Sequence, residues 1–407
     1  MNCRHCTNPL SHVFLDIGFA PPSNAYLTKQ QLKEPEVYYP LKVFVCDSCW
    51  LVQTEDYACA DVLFDKDYAY FSSTSSSWLE HARCYVEDIV PKLQLDENSF
   101  VIEIASNDGY LLKNFISNGI PCLGIEPTQS TAAAAEALGI PVVREFFGAD
   151  LAKTLSKSGR KADLIIGNNV FAHVPDINDF TAGLKCVLNL EGSITLEFPH
   201  LLNLISENQF DTVYHEHFSY LSLNSVSTIL KKQDLRVWDV ERLSTHGGSL
   251  RVFICHIESS KASSTVVSEI LQQEKAYGLL SLKPYELFQV NANKVKNDLV
   301  QFLISEHSKG KRIAAYGAAA KGNTLLNYGG VKPDLIEFVC DAAESKQNKF
   351  LPGSHIPILM PSALREKKPD WVIIFPWNLV DEIKNAHSYI GEWGGKFVTA
   401  VPKLNIH

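Results

Sequence analysis

The sequence predicts an α/β protein in three parts: a small cysteine-rich domain at the N-terminus, then two doubly wound, Rossmann-like domains. Three observations carry that expectation. Two Cys-x-x-Cys pairs, Cys3/Cys6 and Cys46/Cys49, stand near the N-terminus. A strand–turn–helix–strand–acid unit runs from Val101 to Glu126, and the same alternation restarts at Arg312 after a long helical stretch. On this reading the divisions fall at 1–72, 73–258 and 259–407.

Composition sets the outer bounds. A chain of 407 residues is too long for one typical domain. Its 46% hydrophobic and 20% charged residues are ordinary for a soluble globular protein. A formal net charge of −9 argues against a nucleic-acid partner, because phosphate binding needs a basic face. No apolar run approaches the roughly 20 residues needed to span a bilayer. Met1 to Cys6 lacks the apolar core of a signal peptide. The expectation is a cytoplasmic protein away from membranes, a monomer or weak oligomer.

The first part follows from its cysteines. Paired Cys-x-x-Cys turns place four thiolates around one tetrahedral zinc, so Cys3, Cys6, Cys46 and Cys49 are the candidate ligands. A redox disulfide would need only one pair. Four sulfurs leave zinc no open position, so the metal is structural. His5 reads as a bystander, and the other six cysteines read as buried thiols. Phe14 to Gly18 and Tyr38 to Val45 read as strands. From Tyr68 the chain turns polar and hydroxyl-rich, as a linker or as the lip of a pocket carrying Tyr68, Tyr70 and Ser72.

The second part is organised around Val101 to Glu126. Phe100 to Ile104 is a short apolar run of the kind that forms a buried parallel strand. Ala105-Ser106-Asn107-Asp108-Gly109 lets the backbone double back close to a ligand. Leu111, Leu112, Phe115 and Ile116 fall at helical spacing, and a second strand from Pro121 to Ile125 delivers Glu126. An acid about twenty residues after such a turn suits a ribose diol. A dinucleotide would call for G-x-G-x-x-G facing its pyrophosphate, whereas Glu103 and Asp108 make this turn acidic. That favours S-adenosylmethionine, which has no phosphate; an ordinary turn without a ligand is the plain alternative. Further strands at Pro141 to Val143, Ala162 to Gly167, Ser193 to Phe198, Leu235 to Val240 and Leu250 to His256 complete the sheet.

Most of the distinctive chemistry lies in Gln209 to Tyr220, which carries Tyr214, His215, Glu216, His217 and Tyr220. His-Glu-His is not the helical zinc signature H-E-x-x-H. The span offers either a general base with a carboxylate beside it to orient it and raise its pKa, or a pair of histidines tying a loop down. Thr245 to Arg251 is a second polar turn, with Gly247 and Gly248. Ser260 to Ser308 is mostly helical. In the third part, Gly317 to Thr324 reads as a small-residue loop whose amides and Lys321 can hold a phosphate, or as a bare structural loop.

Taken together, E-I-A-S-N-D-G, G-I-E-P, H-V-P-D, E-F-P-H-L-L, Y-H-E-H-F-S-Y, H-G-G-S-L-R and Y-G-A-A-A-K-G-N-T-L-L-N-Y resemble the zinc-containing, S-adenosylmethionine-dependent sugar C-methyltransferases. The resemblance covers nearly the whole chain. It implies zinc at the N-terminus, a class I methyltransferase domain in the middle, and a nucleotide-linked 4-keto-deoxysugar between the middle and last domains. His217 would remove the C3 proton, Glu216 would position it, and Tyr214 would stand near the enolate oxygen, with His173 in the same cavity. The candidate cofactor contacts are Glu103, Ala105, Asn107, Asp108, Gly109, Glu126, Pro127, Asn168 and Asn169. The candidate substrate contacts are Tyr68, Tyr70, Ser72, His200, His246, Ser249 and Lys321. The family usually has glycine where this chain has Ala105; a methyl is tolerated there if φ stays negative. A nicotinamide-dependent sugar oxidoreductase and a non-catalytic zinc-ribbon scaffold are the rival readings.

Overall fold

Alternation of buried and exposed residues shapes the first sheet. β2 (Tyr39–Val45) turns Leu41, Val43 and Val45 inward and pairs antiparallel with β1 (His12–Ala20) and β3 (Val52–Thr54). The fourth strand comes from far along the chain: β9 (Ser219–Tyr220) pairs with β3, giving the order β1-β2-β3-β9. The structure is a computed structural model and describes residues 1–55, 57 and 71–407.

The central sheet has seven strands in the order β10-β11-β8-β7-β4-β5-β6. β4 (Val101–Ile104), β5 (Cys122–Ile125), β6 (Val142–Val143), β7 (Ala162–Asn168) and β8 (Leu188–Pro199) run parallel. β10 (Leu235–Leu243) and β11 (Ser249–His256) add an antiparallel edge. All residues of β4 and β5 are buried, as expected of strands covered on both faces. The strand order reverses between β4 and β7, so the crevice at their carboxyl ends is where such a fold takes its ligand.

The last sheet repeats the plan in the order β14-β13-β12-β15-β16-β17. Its members are β12 (Ile313–Tyr316), β13 (Val339–Cys340), β14 (Ile358–Leu359), β15 (Trp371–Ile374), β16 (Lys396–Thr399) and β17 (Asn405–Ile406), parallel except for β17.

The three sheets share cores. Phe14 of β1 stacks on Phe288 of the long helix Lys283–Ser308, with ring centroids 4.4 Å apart. That core continues into Ile313, Val339 and Ile373 of the last sheet. The cysteine turns pack the other way, Cys3, Cys46 and Cys49 joining Phe171, Val174 and Leu221 of the middle region. No described helix is long and apolar enough to cross a membrane.

Three expectations need correction. The polar stretch after Phe71 is mostly the start of an 18-residue helix, Ser76–Leu93, whose N-cap Ser75 accepts from the Trp78 amide. The loop expected over Gly317 to Thr324 is short, because the helix Ala320–Gly329 has already begun. Its polar residues face inward: Asn323 Nδ2 donates to Ser23 O at 2.6 Å and Thr324 Oγ1 to Val213 O at 2.8 Å. Among the lone cysteines, Cys122, Cys255 and Cys340 are buried, but Cys84 lies on an exposed helix face and Cys186 is half-buried. Cys59 lies outside the described residues.

Candidate active site

Each cysteine pair is folded by the same turn. Thr7 and Trp50, one residue after each pair, adopt left-handed φ of 65° and 60°. Their amides donate back to Cys3 O and Cys46 O, both at 2.9 Å. Sγ of Cys3 and Cys49 stand 3.5 Å apart, as do those of Cys6 and Cys46, and all four lie within 4.8 Å of one another. Tetrahedral zinc with Zn–S bonds of about 2.3 Å needs sulfurs about 3.8 Å apart, so the four fit that metal. Gln53 Nε2 donates to Cys3 Sγ. His5 is occupied elsewhere, its Nδ1 2.9 Å from Asn178 Oδ1, and takes no part in the cluster.

At the β4 turn the backbone is left-handed at Ala105 (φ 57°), Asn107 (50°) and Gly109 (78°). The condition for tolerating a methyl at Ala105, a negative φ, is therefore not met. An alanine there costs on the order of 1 kcal/mol, because its Cβ crowds the carbonyl. At Gly109 a Cβ would stand 2.3 Å from Ile140 Cδ1, so only glycine fits. Glu126 holds the turn, accepting from Asn107 N at 3.0 Å and from Thr128 N at 2.8 Å. The helix leading in from Ser72 caps it, with Ser72 N donating to Asn107 Oδ1 and Ser73 N to Asp108 Oδ2. Ser72 thus sits against the acidic turn.

The turn is strongly acidic inside. Glu103 is 1% exposed, and burial, then Glu126 and Asp108, push its pKa well above the usual carboxylate range. Glu103 Oε2 and Asp108 Oδ1 are buried without a hydrogen-bond partner among the described residues. Carboxyl groups buried this way suit a ligand bearing ammonium and sulfonium groups, which draws them toward their ionised form, and they offer no donor pair to a pyrophosphate. The residues fit S-adenosylmethionine. At the end of β7 the side-chain amide of Asn168 is buried beside the Tyr110 hydroxyl, and Asn169 (φ 53°) turns its Nδ2 toward His246 Nε2 at 3.4 Å.

Beyond that turn lies the histidine cluster. His217 is buried, its Nδ1 3.1 Å from Thr212 O. A carbonyl can only accept, so Nδ1 carries the hydrogen and Nε2 keeps its lone pair. Tyr214 lies against its ring at 4.0 Å between centroids and His173 meets it edge-on at 4.7 Å. Burial, then His173, holds the His217 pKa well below 6.5. His173 is pushed down by burial to about 4. These rings are neutral near pH 7.

Glu216 does not orient His217, as the sequence had suggested. Its Oε1 accepts from Asn24 Nδ2 at 3.3 Å, and burial raises its pKa. The partner that orients His217 is the Thr212 carbonyl. His200 is also taken: its Nε2 is 2.7 Å from Glu274 Oε1, both side chains 1% exposed, and Glu274 caps the helix Leu223–Lys231 through the amides of Leu223 and Asn224. That pairing ties His200 to the helix that carries Glu274. Ser249 Oγ donates to Thr245 O and closes its own turn.

The outer wall joins middle and last sheets. His246 (φ 54°) lies near Trp78, 5.6 Å between centroids, and burial lowers its pKa to about 4. Gly247 leaves room for Trp377, since a Cβ there would meet its ring at 2.4 Å. Trp377 Nε1 donates to Asp211 Oδ2, Lys321 lies over the Trp377 ring at 4.2 Å, and burial raises Asp211 to about 6. Lys321 Nζ donates to Asn378 Oδ1. Tyr68 and Tyr70 lie outside the described residues. Sequence reading missed Asn24, Thr212, Trp78 and Trp377; the only signal was an aromatic just past the end of a strand, at Trp377.

Comparison with known proteins agrees with this geometry. The family profile described as "Putative zinc binding domain" matches residues 3–64, "Methyltransferase domain" matches 78–240, and "C-methyltransferase C-terminal domain" matches 244–402. C-methyltransferase NovU of Streptomyces niveus is 32% identical over 404 residues, spanning 99% of this chain and 96% of that protein. Among solved structures, the PH0226 protein of Pyrococcus horikoshii is 12% identical, covering 46% of this chain and 94% of its own, with a TM-score of 0.39. Magnesium protoporphyrin IX methyltransferase of Synechocystis with bound SAH is 14% identical, covering 44% and 82%, with a TM-score of 0.34. Those two likenesses are too distant to add to the match along the chain.

Proposed function

This chain belongs to the zinc-containing, S-adenosylmethionine-dependent C-methyltransferase family, and from that premise we propose that it methylates C3 of a nucleotide-linked 4-keto-deoxysugar. The observation that carries the reading is His217, a buried neutral imidazole with Nδ1 tied to Thr212 O and Nε2 left as a base. S-adenosylmethionine supplies the methyl group; Asp108 and Glu103, whose buried carboxyl a neighbouring cation draws toward its ionised form, complement its charged end, and Glu126 suits its ribose diol. A ketone at C4 acidifies the hydrogen on C3. His217 Nε2 takes that proton, and Tyr214 stands against the same ring to meet the enolate oxygen. Glu216, held toward its neutral form by burial, can donate to a sugar oxygen. His246 and Lys321, on the wall toward the last sheet, face the nucleotide end, where Lys321 offers charge to a diphosphate. Asn168 and Asn169 lie where cofactor and sugar meet.

Zinc does no chemistry in this scheme, since four sulfurs complete its shell. We also propose 1–72, 73–258 and 259–407 as the domain limits; the sheets support them except at β9, which joins the first sheet. The acidic turn weighs against a nicotinamide oxidoreductase.

The direct test is a panel of nucleotide-linked sugars, with and without a C4 ketone, incubated with S-adenosylmethionine. One added methyl on carbon is expected only for the ketones. Methylation on oxygen, or of a sugar with no carbonyl, would overturn the substrate class. A second test concerns Glu126. Glu126→Ala removes a charged partner and frees two turn amides, so calorimetry should show S-adenosylmethionine affinity weakened by about 1–3 kcal/mol. Unchanged affinity would place the adenosine elsewhere.

A further inference from the structure

We propose that Thr54 is a positioning residue for His217, and that the zinc turns act through Thr54 and Arg4 to hold both active-site histidines. The inference rests on the reading of His217 as the base.

Three successive carbonyls of the His217 turn are each held by a fixed donor. His173 Nδ1 donates to Glu216 O at 2.7 Å. Thr54 Oγ1 donates to His217 O at 3.2 Å, and Thr54 N donates to Phe218 O at 3.1 Å. Two of these three bonds come from one residue, Thr54, which is 2% exposed and ends β3, the strand that leaves the second cysteine turn. β3 then pairs with β9, Val52 opposite Tyr220 and Gln53 opposite Ser219, so the residues right after His217 are laddered to residues right after Cys49.

The first cysteine turn clamps the same place from the other side. Arg4, between Cys3 and Cys6, donates one guanidinium nitrogen to Thr54 O at 2.9 Å and the other to Pro175 O at 2.7 Å. Pro175 lies two residues past His173. Arg4 also sits over the Phe218 ring at 5.3 Å, and its amide donates to Gln53 Oε1 at 2.8 Å. One guanidinium therefore spans the strand that holds His217 and the turn that holds His173. A planar fork with fixed angles does this; a flexible ammonium reaches one carbonyl at a time. Zinc held by the four sulfurs, which lie within 4.8 Å of one another, would lock the turn that carries Arg4 to the turn that leads into β3. Zinc on this account sets the separation of two histidines it never touches.

Thr54→Val keeps shape and β-branching and removes only the hydroxyl. The variant should retain its zinc, its melting temperature within a few degrees, and KM for both ligands. Its kcat should fall roughly 10- to 100-fold, as for a small misplacement of a catalytic group, and solvent exchange at C3 should slow by the same factor. The His217 imidazole resonances, read by NMR on the ligand-free protein, should shift. Thr54→Ser, which restores the hydroxyl, should recover kcat and the resonances. Parent kcat in Thr54→Val, unmoved His217 resonances, or a loss that Thr54→Ser fails to rescue would overturn the proposal. If Thr54→Val does not fold, Arg4→Lys decides in its place: the same pattern is expected, and parent kcat with parent resonances refutes it. Should His217→Asn still exchange the C3 hydrogen, the base assignment falls, while the resonances still report whether Thr54 holds the ring.

Discussion

His217→Asn is expected to fold, bind both ligands, and turn over on the order of 100- to 10,000-fold more slowly, the usual loss when a general base is removed. The fold should survive because the asparagine amide can still donate to Thr212 O, as the ring does through Nδ1. Loss of binding is not expected, since the acidic turn and the Lys321 wall are untouched. Exchange of the C3 hydrogen with deuterated solvent should stop with turnover, because that exchange needs only the base. The pH profile of the parent enzyme adds a second check. Burial favours the neutral ring, so the base form persists below the ordinary imidazole range, and the acid limb of kcat/KM should lie under pH 6.5. The control is His215→Asn: His215 Nε2 lies 3.2 Å from Pro40 O, so its loss should cost stability more than rate. A folded His217→Asn enzyme that exchanges C3 hydrogen at the parent rate would move the base to His173 or Tyr214.

The second large effect is expected from Cys46→Ser. Metal analysis of the parent should find about one zinc per chain, and the variant should lose it, because a serine hydroxyl is not ionised near neutral pH and is a poor match for a thiolate. Structural zinc contributes to folding directly, so the N-terminal region should melt well below the rest. The consequences should not stay local. Cys46 is fully buried against Cys3, Cys49, Leu51 and Phe171, and β1 shares its core with the long helix and the last sheet. Turnover should fall with the metal, while affinity for S-adenosylmethionine, whose acidic turn hangs on β4 and β5, should fall much less. Metal-replete parent protein without zinc, or a Cys46→Ser variant that keeps it, would refute the assignment.

What the sequence disclosed divides along physical lines. The zinc ligands and the acidic turn were legible because each is local: spacing within a few residues sets a turn, and the turn sets the ligand geometry. The buried strands β4, β5, β7 and β8 were legible for the same reason. What escaped was non-local. His200 read as a site residue because it follows a strand, yet its partner Glu274 lies on another helix. Glu216 read as the orienter of His217 because it is adjacent in sequence, whereas Asn24 is its actual neighbour. The two-residue strand β9 has no periodicity to detect. Ala105 shows a third kind of limit, since composition does not reveal that the surrounding turn forces a left-handed φ on a residue with a side chain.

The pairing of β3 with β9 also dictates an order of events as the chain is made. β3 ends at Thr54 and its partner begins at Ser219, so the first sheet has a bare edge until most of the middle domain has been synthesised. Contacts of such high sequence separation close late. During that interval the N-terminal piece presents unpaired backbone donors and acceptors along a short, fully buried-type strand, a template for association with other nascent chains. Zinc capture needs only the first 49 residues and can come first. A fragment cut after residue 72 would lack the strand that pairs with β3, whereas one reaching Tyr220 would supply it.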